Sequence, residues 1–270
     1  MEILQKYLTD RETELNRILN KRPRSYTKST FHVFRVEIKK LNALFSLIDE
    51  CFKGFKRRKT FHPFRLIFRQ AGRVRAIQIE ESILKKLAGD QPLPPYIKQL
   101  RICRLEEQRI FYRLLKALPT GRLDEEYCEI RPLLGMIDER QAGNYLNKSS
   151  KRIIKFIKNL DYSEIQMHTL RKMVKSHGYL KDCISPAGDH PEKEKNPDLA
   201  NLLGQWHDRI LIINHLESAL AENPADPSEQ AWLEQAKSTL SAELEILTEK
   251  IRAAVPGSGY IEIREIERID

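Results

Sequence analysis

The sequence predicts an all-α protein built as two antiparallel helical bundles with a pseudo-duplicated plan. Three observations predict it. Long stretches repeat apolar residues at the helix period, and strand-like alternation is nearly absent. Those stretches are separated by short Pro, Gly and hydroxyl-rich breaks, the connections of antiparallel neighbours. A cationic signature occurs twice, as His32-x-x-Arg35-x-x-x-Lys39-Lys40 and as His168-x-x-Arg171-Lys172-x-x-Lys175.

The elements follow in order. A first helix covers roughly 1–20 and stops near Pro23. SYTKST offers hydroxyl caps before a second helix at about 29–53, whose Phe31, Phe34, Ile38, Leu41, Leu44, Phe45 and Ile48 mark one apolar face. The basic turn GFKRRKT leads to a helix at about 61–88 that ends at Gly89-Asp90. Pro92, Pro94 and Pro95 form a linker to a helix at about 96–118, and a short irregular or helical piece covers about 123–136. Helices at about 138–159, 162–183, 197–222 and 227–254 complete the chain, with SPAGDHPEKEKNP read as a loop. The tail PGSGYIEIREIERID reads equally as a short edge strand or a packed arm.

With 270 residues, 41% of them apolar, the chain can build a substantial core. No apolar run approaches the roughly 20 residues of a membrane span. The first residues alternate like an amphipathic helix and lack a signal-peptide core, so the expected setting is intracellular. Cys51, Cys103, Cys128 and Cys183 are scattered without a CxxC pair, which argues against a local zinc site and leaves them as buried small hydrophobes.

The net charge of +9 is unevenly spread. Residues 21–75 hold sixteen Lys and Arg against three acids, and residues 148–181 hold nine against two. Residues 216–270 reverse the sign, with twelve acids and five bases. Two basic regions far apart in sequence fit one concentrated positive surface. Within each signature, spacings of three and four stack like charges on one helix face, which is unfavourable unless an anion is bound there. Arg35, Lys39, Arg171 and Lys175 are the first contacts expected; Lys40 and Lys172 lie about 100° round their helices. Arg65, Arg69 and Arg73 make a further stripe, with Arg75 pointing elsewhere. Lys148, Lys151, Arg152, Lys155 and Lys158 make another, read either as ligand contacts or as a solvated face.

Each signature is followed by a Gly inside a helix with a cationic or imidazole residue three positions on, Gly72/Arg75 and Gly204/His207. A mid-helix Gly is about 1 kcal/mol worse than Ala, so two of them suggest close packing or close ligand approach, unless they are incidental. His32 and His168 have three roles open to them: binding an anion, orienting a neighbouring Arg, or hydrogen bonding into the bundle. His207-Asp208 reads as an oriented pair rather than a metal site, since no compact ligand set accompanies it. No P-loop, GxSxG or HExxH element is present.

These residues resemble those of the CHAD domain, the conserved histidine alpha-helical domain. His32, Arg35, Lys39 and Lys40 match its His-x-x-Arg helix; His168, Arg171 and Lys175 match it again. Leu203, Gly204, His207 and Asp208 match its Leu-Gly-x-x-Arg/His-Asp element. Ala71, Gly72 and Arg75 match the same element in the first half, with Ala76 where the family often has Asp. The similarity covers about 5–255 and implies one helical domain over 1–255, with subdomains at about 1–122 and 138–255 and a tail at 256–270. It further implies pseudo-two-fold symmetry around a basic channel and binding of inorganic polyphosphate, in some members at polyphosphate granules. Some relatives are fused to a triphosphate-processing tunnel-type domain, and none is read in this sequence.

The expected protein is therefore a cytoplasmic, non-catalytic polyphosphate binder that uses no cofactor or metal and engages no membrane. Two other readings remain: a helical module that binds nucleic acid or polyanions in general, and a phosphohydrolase or its adaptor acting on polyphosphate.

Overall fold

The helical periodicity is realised throughout the computed structural model, which describes residues 2–90, 92–117, 120–185, 199–222 and 226–256. The helices are α1 (Glu2–Leu19), α2 (Lys28–Cys51), α3 (Arg57–Thr60), α4 (His62–Ala88), α5 (Pro95–Lys116), α6 (Thr120–Met136), α7 (Glu139–Ile157), α8 (Glu164–Ile184), α9 (Leu199–Ala221) and α10 (Pro227–Ala254). Among the described residues there is no strand. Apart from Ser185 and Pro256, the expected loop at 185–197 and the tail at 256–270 lie outside the described residues.

The start of α2 is set by the hydroxyls the sequence offers there. Thr27 Oγ1 accepts from the Thr30 backbone N–H at 3.2 Å, and the Thr27 N–H donates to Thr30 Oγ1 at 3.2 Å. This reciprocal cap satisfies two amides that a bare helix end leaves orphaned. Thr27→Ala should lower unfolding stability by about 1 kcal/mol, readable by urea denaturation. At the end of α4, Gly89 takes φ +58, the left-handed conformation that closes a helix without a Cβ penalty.

One open reading is settled and one expectation changes. The piece at 123–136 is a continuous helix, although Pro132 lies inside it. Tyr127, Ile130 and Leu134 recur at helical spacing and are all buried, and this packing offsets the missing proline N–H. Of the four cysteines only Cys183 is buried; Cys128 is exposed. A cysteine's apolarity does not choose its face, and position 128 adjoins the buried Tyr127 about 100° round α6.

The helices form two compact units. The first takes the chain up to Gln78, then Ile102–Lys148 and the end of α8 from Ser176. The second takes Ile79–Arg101, Ser149–Lys175 and α9 with α10. Neither unit is a contiguous half of the chain.

In the first unit the apolar face of α2 packs against α1, α4, α5 and α6, with Phe31, Phe34, Phe45, Phe64 and Phe111 fully buried. Phe111 meets Phe31 edge to face at 5.0 Å and Tyr26 at 5.5 Å, a preferred aromatic arrangement. The Tyr26 hydroxyl donates to the Ile18 carbonyl at 2.6 Å, so its polar tip is satisfied on burial.

In the second unit α9 and α10 run antiparallel. Trp206 donates to Thr248 at 3.0 Å, Arg209 to Glu243 at 2.9 Å, and Lys237 pairs with Glu217 at 2.8 Å, the partners converging toward the connection. Met167, Leu170, Leu203, Trp206 and Ile251 fill one core cluster; Leu84, Ile97, Leu216, Leu233 and Leu240 fill the other.

Candidate functional site

The helices give each signature a different seat. In the first unit Arg35 projects from α2 onto α4. Its Nη1 donates to the Phe68 carbonyl at 2.8 Å, and its guanidinium lies over the Phe68 ring, 4.4 Å from the centroid. The carbonyl oxygen four residues before a helical position lies beside that position's side chain, and here that position is Gly72. A Cβ on Gly72 would collide with Arg35 Nη1 and lie 3.1 Å from its Cζ. The glycine therefore opens α4 to a guanidinium, which takes the second lone pair of a helical carbonyl and a cation–π contact together. Of the readings left open for the mid-helix Gly, close packing between helices is the one seen at Gly72. Phe68, the platform, was not singled out from sequence, though its place one turn before Gly72 was the available signal.

Around this seat, His32 is exposed and Lys39 is half-buried on α2. Arg65, Arg69 and Arg73 form the expected exposed stripe on α4, and Arg75 is half-buried. Lys40 and Lys148 each make an ion pair within the protein. Lys40 Nζ pairs with Glu37 at 3.2 Å, and Glu37 also meets Arg11 Nε at 2.5 Å, a charge contact rather than an aligned hydrogen bond. Glu37 is only 5% exposed, and a buried carboxylate needs compensating cations. Lys148 Nζ pairs with Glu50 at 2.6 Å on the surface, where such a contact is weak.

In the second unit the Gly seat receives the other cation of the signature. Lys175 Nζ on α8 lies 3.3 Å from where a Cβ on Gly204 would stand. One turn later on α9, His207 stacks on His168 with ring centroids 4.9 Å apart and planes 20° from parallel. The structure thus joins two residues of the second signature, His168 and Lys175, to Gly204 and His207 of its glycine element. Burial, then the neighbouring Lys172, His207 and Arg171, hold the His168 pKa below the ordinary histidine value. His207 Nδ1 is 3.6 Å from Asp208 Oδ1, beyond a good hydrogen bond. Arg171 is half-buried and Lys172 exposed, as are Arg152 and Lys155 on α7. Among the described residues no group of three or more His, Cys, Asp or Glu could hold a metal ion, and no helix is long and apolar enough to cross a membrane.

A family model for the CHAD domain matches residues 12–216. The chain belongs to the CHAD-domain family. No curated protein matches it. Both signatures, both glycine turns and the Arg35 seat fall within the matched CHAD span. The match ends at Leu216, inside α9. Beyond it, α10 supplies Leu233, Leu240 and Ile251 to the cores of the second unit.

Proposed function

We propose that this CHAD-domain protein binds inorganic polyphosphate without catalysing a reaction on it. The observation that carries the reading is the seat of Arg35, a signature cation held on Phe68 at a turn with no Cβ. A guanidinium fixed in place holds its positive charge at one position with little entropic cost on binding, which suits a flexible polyanion with one charge per phosphate. CHAD membership supports polyanion binding at the coarse level. The finer reading has Arg35, Lys39, Arg171 and Lys175 lining one basic channel between pseudo-symmetric bundles, with His32, Arg75, His168 and His207 beside them. The protein would act in the cytoplasm, at polyphosphate granules where these form.

Calorimetric titration at about 0.15 M salt with long-chain polyphosphate, and with DNA and RNA at matched phosphate content, tests the reading. The expected result is tighter binding to polyphosphate, lost in an Arg35→Ala/Arg171→Ala double variant. Equal affinity for all three polymers, indifferent to that variant, would leave only a general polyanion surface. Orthophosphate release with Mg²⁺ would overturn the non-catalytic part.

His168 adds a pH dependence. The free protein holds its pKa low, and an adjacent phosphate would raise it, so binding takes up a proton. Affinity should therefore be greatest at low pH and decline between about pH 5.5 and 7.5. His168→Ala should flatten that decline, as read by titration at each pH.

A further inference from the structure

A second cationic concavity lies in the first unit, lined by no residue of either signature. A cavity of about 1010 Å³ opens where the C-terminal half of α2, the single turn of α3 and the start of α4 meet. Lys56, Arg57, Arg58 and Arg65 line it. Arg57 is held in place, since its Nη2 donates to Asn42 Oδ1 at 3.1 Å. Four cations around one concavity call for an anion with several charges.

Two other features of the lining narrow the ligand. Phe55 and Phe61 are half-buried walls of the cavity. Each is anchored in an aromatic cluster: Phe55 on Phe45 at 6.2 Å, Phe61 on Phe64 at 6.2 Å and on Phe68 at 6.4 Å. A site for bare phosphate has no use for rings, whereas a planar heterocycle stacks on them. Asp49 is the one carboxylate of the lining. It would repel phosphate, but it accepts hydrogen bonds from the exocyclic amino or ring N–H groups of a base.

We propose that this cavity binds a purine nucleoside polyphosphate, with Arg57, Arg58 and Arg65 on the phosphates, Phe55 or Phe61 against the base, and Asp49 on the base edge. The volume suits a nucleotide-sized ligand. No residue of the Arg35 seat lines the cavity, although its wall Phe61 packs on Phe68 beneath Arg35.

The test is titration of the full chain with ATP, GTP and tripolyphosphate. At least one nucleotide should bind about tenfold or more tightly than tripolyphosphate, the increment of one stacked base. Arg58→Ala/Arg65→Ala should weaken nucleotide and tripolyphosphate alike. Asp49→Asn should weaken the nucleotide and strengthen tripolyphosphate, opposite signs that a change in folding cannot produce. A Phe55→Leu/Phe61→Leu variant should weaken the nucleotide and leave tripolyphosphate unchanged. Tripolyphosphate binding as tightly as both nucleotides, or an Asp49→Asn effect of one sign on both ligands, would overturn the proposal. Unchanged nucleotide affinity in the double Arg variant would overturn it too.

Discussion

Gly72→Ala should reduce polyphosphate affinity about tenfold while changing unfolding stability by no more than about 1 kcal/mol. A methyl group at position 72 would occupy the space of the Arg35 guanidinium, which must swing away because its flexible end is the part in conflict. The displaced side chain loses its bond to the Phe68 carbonyl and its place over the Phe68 ring. A charge-assisted hydrogen bond and a half-buried cation–π contact are together worth about 2 kcal/mol. Against that, alanine is about 1 kcal/mol better than glycine inside a helix. The two nearly cancel in stability, so a thermal melt should move little. Affinity has no such offset, because the ligand then meets a mobile cation. Gly204→Ala is the comparison: its Cβ would approach Lys175 Nζ at 3.3 Å, and a lysine tail yields a few tenths of an ångström easily. That variant should bind nearly as the parent does. Equal affinity in the parent and Gly72→Ala would make the Arg35 seat a packing device and remove the observation on which the polyphosphate reading rests.

Glu80→Ala should destabilise the protein by about 3 kcal/mol, measured by urea unfolding. Glu80 is 2% exposed in the second unit. Its carboxylate accepts from the Tyr96 hydroxyl at 2.7 Å and pairs with His215 Nδ1 at 2.8 Å, joining α4, α5 and α9. Truncation removes an acceptor from both partners and leaves a cavity. The same cluster gives stability a pH dependence. The hydrogen bond to Glu80 raises the His215 pKa above its ordinary value, against an opposing effect of burial. A raised folded-state pKa means the contribution is fully present below the unfolded value near 6.5 and is lost as pH rises through the folded one. His215 is half exposed, so solvent screening keeps the effect small. The melting temperature of the parent should exceed that of His215→Ala most at about pH 5.5 and least at about pH 8.5. A gap that stays constant across that range would show that the pair contributes through packing alone.

The helices were legible because their causes are local. Apolar residues at spacings of three and four, Thr27 before α2, Gly89 after α4 and Pro227 at the start of α10 act within one or two turns of themselves. The cationic signatures were legible for the same reason, since spacing alone puts His, Arg and Lys on one helix face. The state of each cation was not. Lys40 pairs with Glu37 and Lys148 with Glu50. Lys148 and Glu50 are 98 residues apart, and no local pattern in sequence carries such a pairing. The sequence leaves the piece at 123–136 open between irregular and helical, and the buried face of α6 decides for the helix despite Pro132.

By itself the sequence determined the all-helical class, the positions of the helices, the duplicated signature and the CHAD resemblance. All of these are periodicities or motifs that short stretches express alone. Only the tertiary structure decided which cation each glycine receives. The motif puts Arg35 and Arg171, or Lys39 and Lys175, at matching positions, yet Gly72 receives Arg35 and Gly204 receives Lys175, one turn further along. The physical reason is that a side chain's seat depends on how two helices cross and on the reach of the residue between them. A four-residue shift along a helix moves the contact by about 6 Å, and the identity of the neighbouring residues along either helix does not encode it.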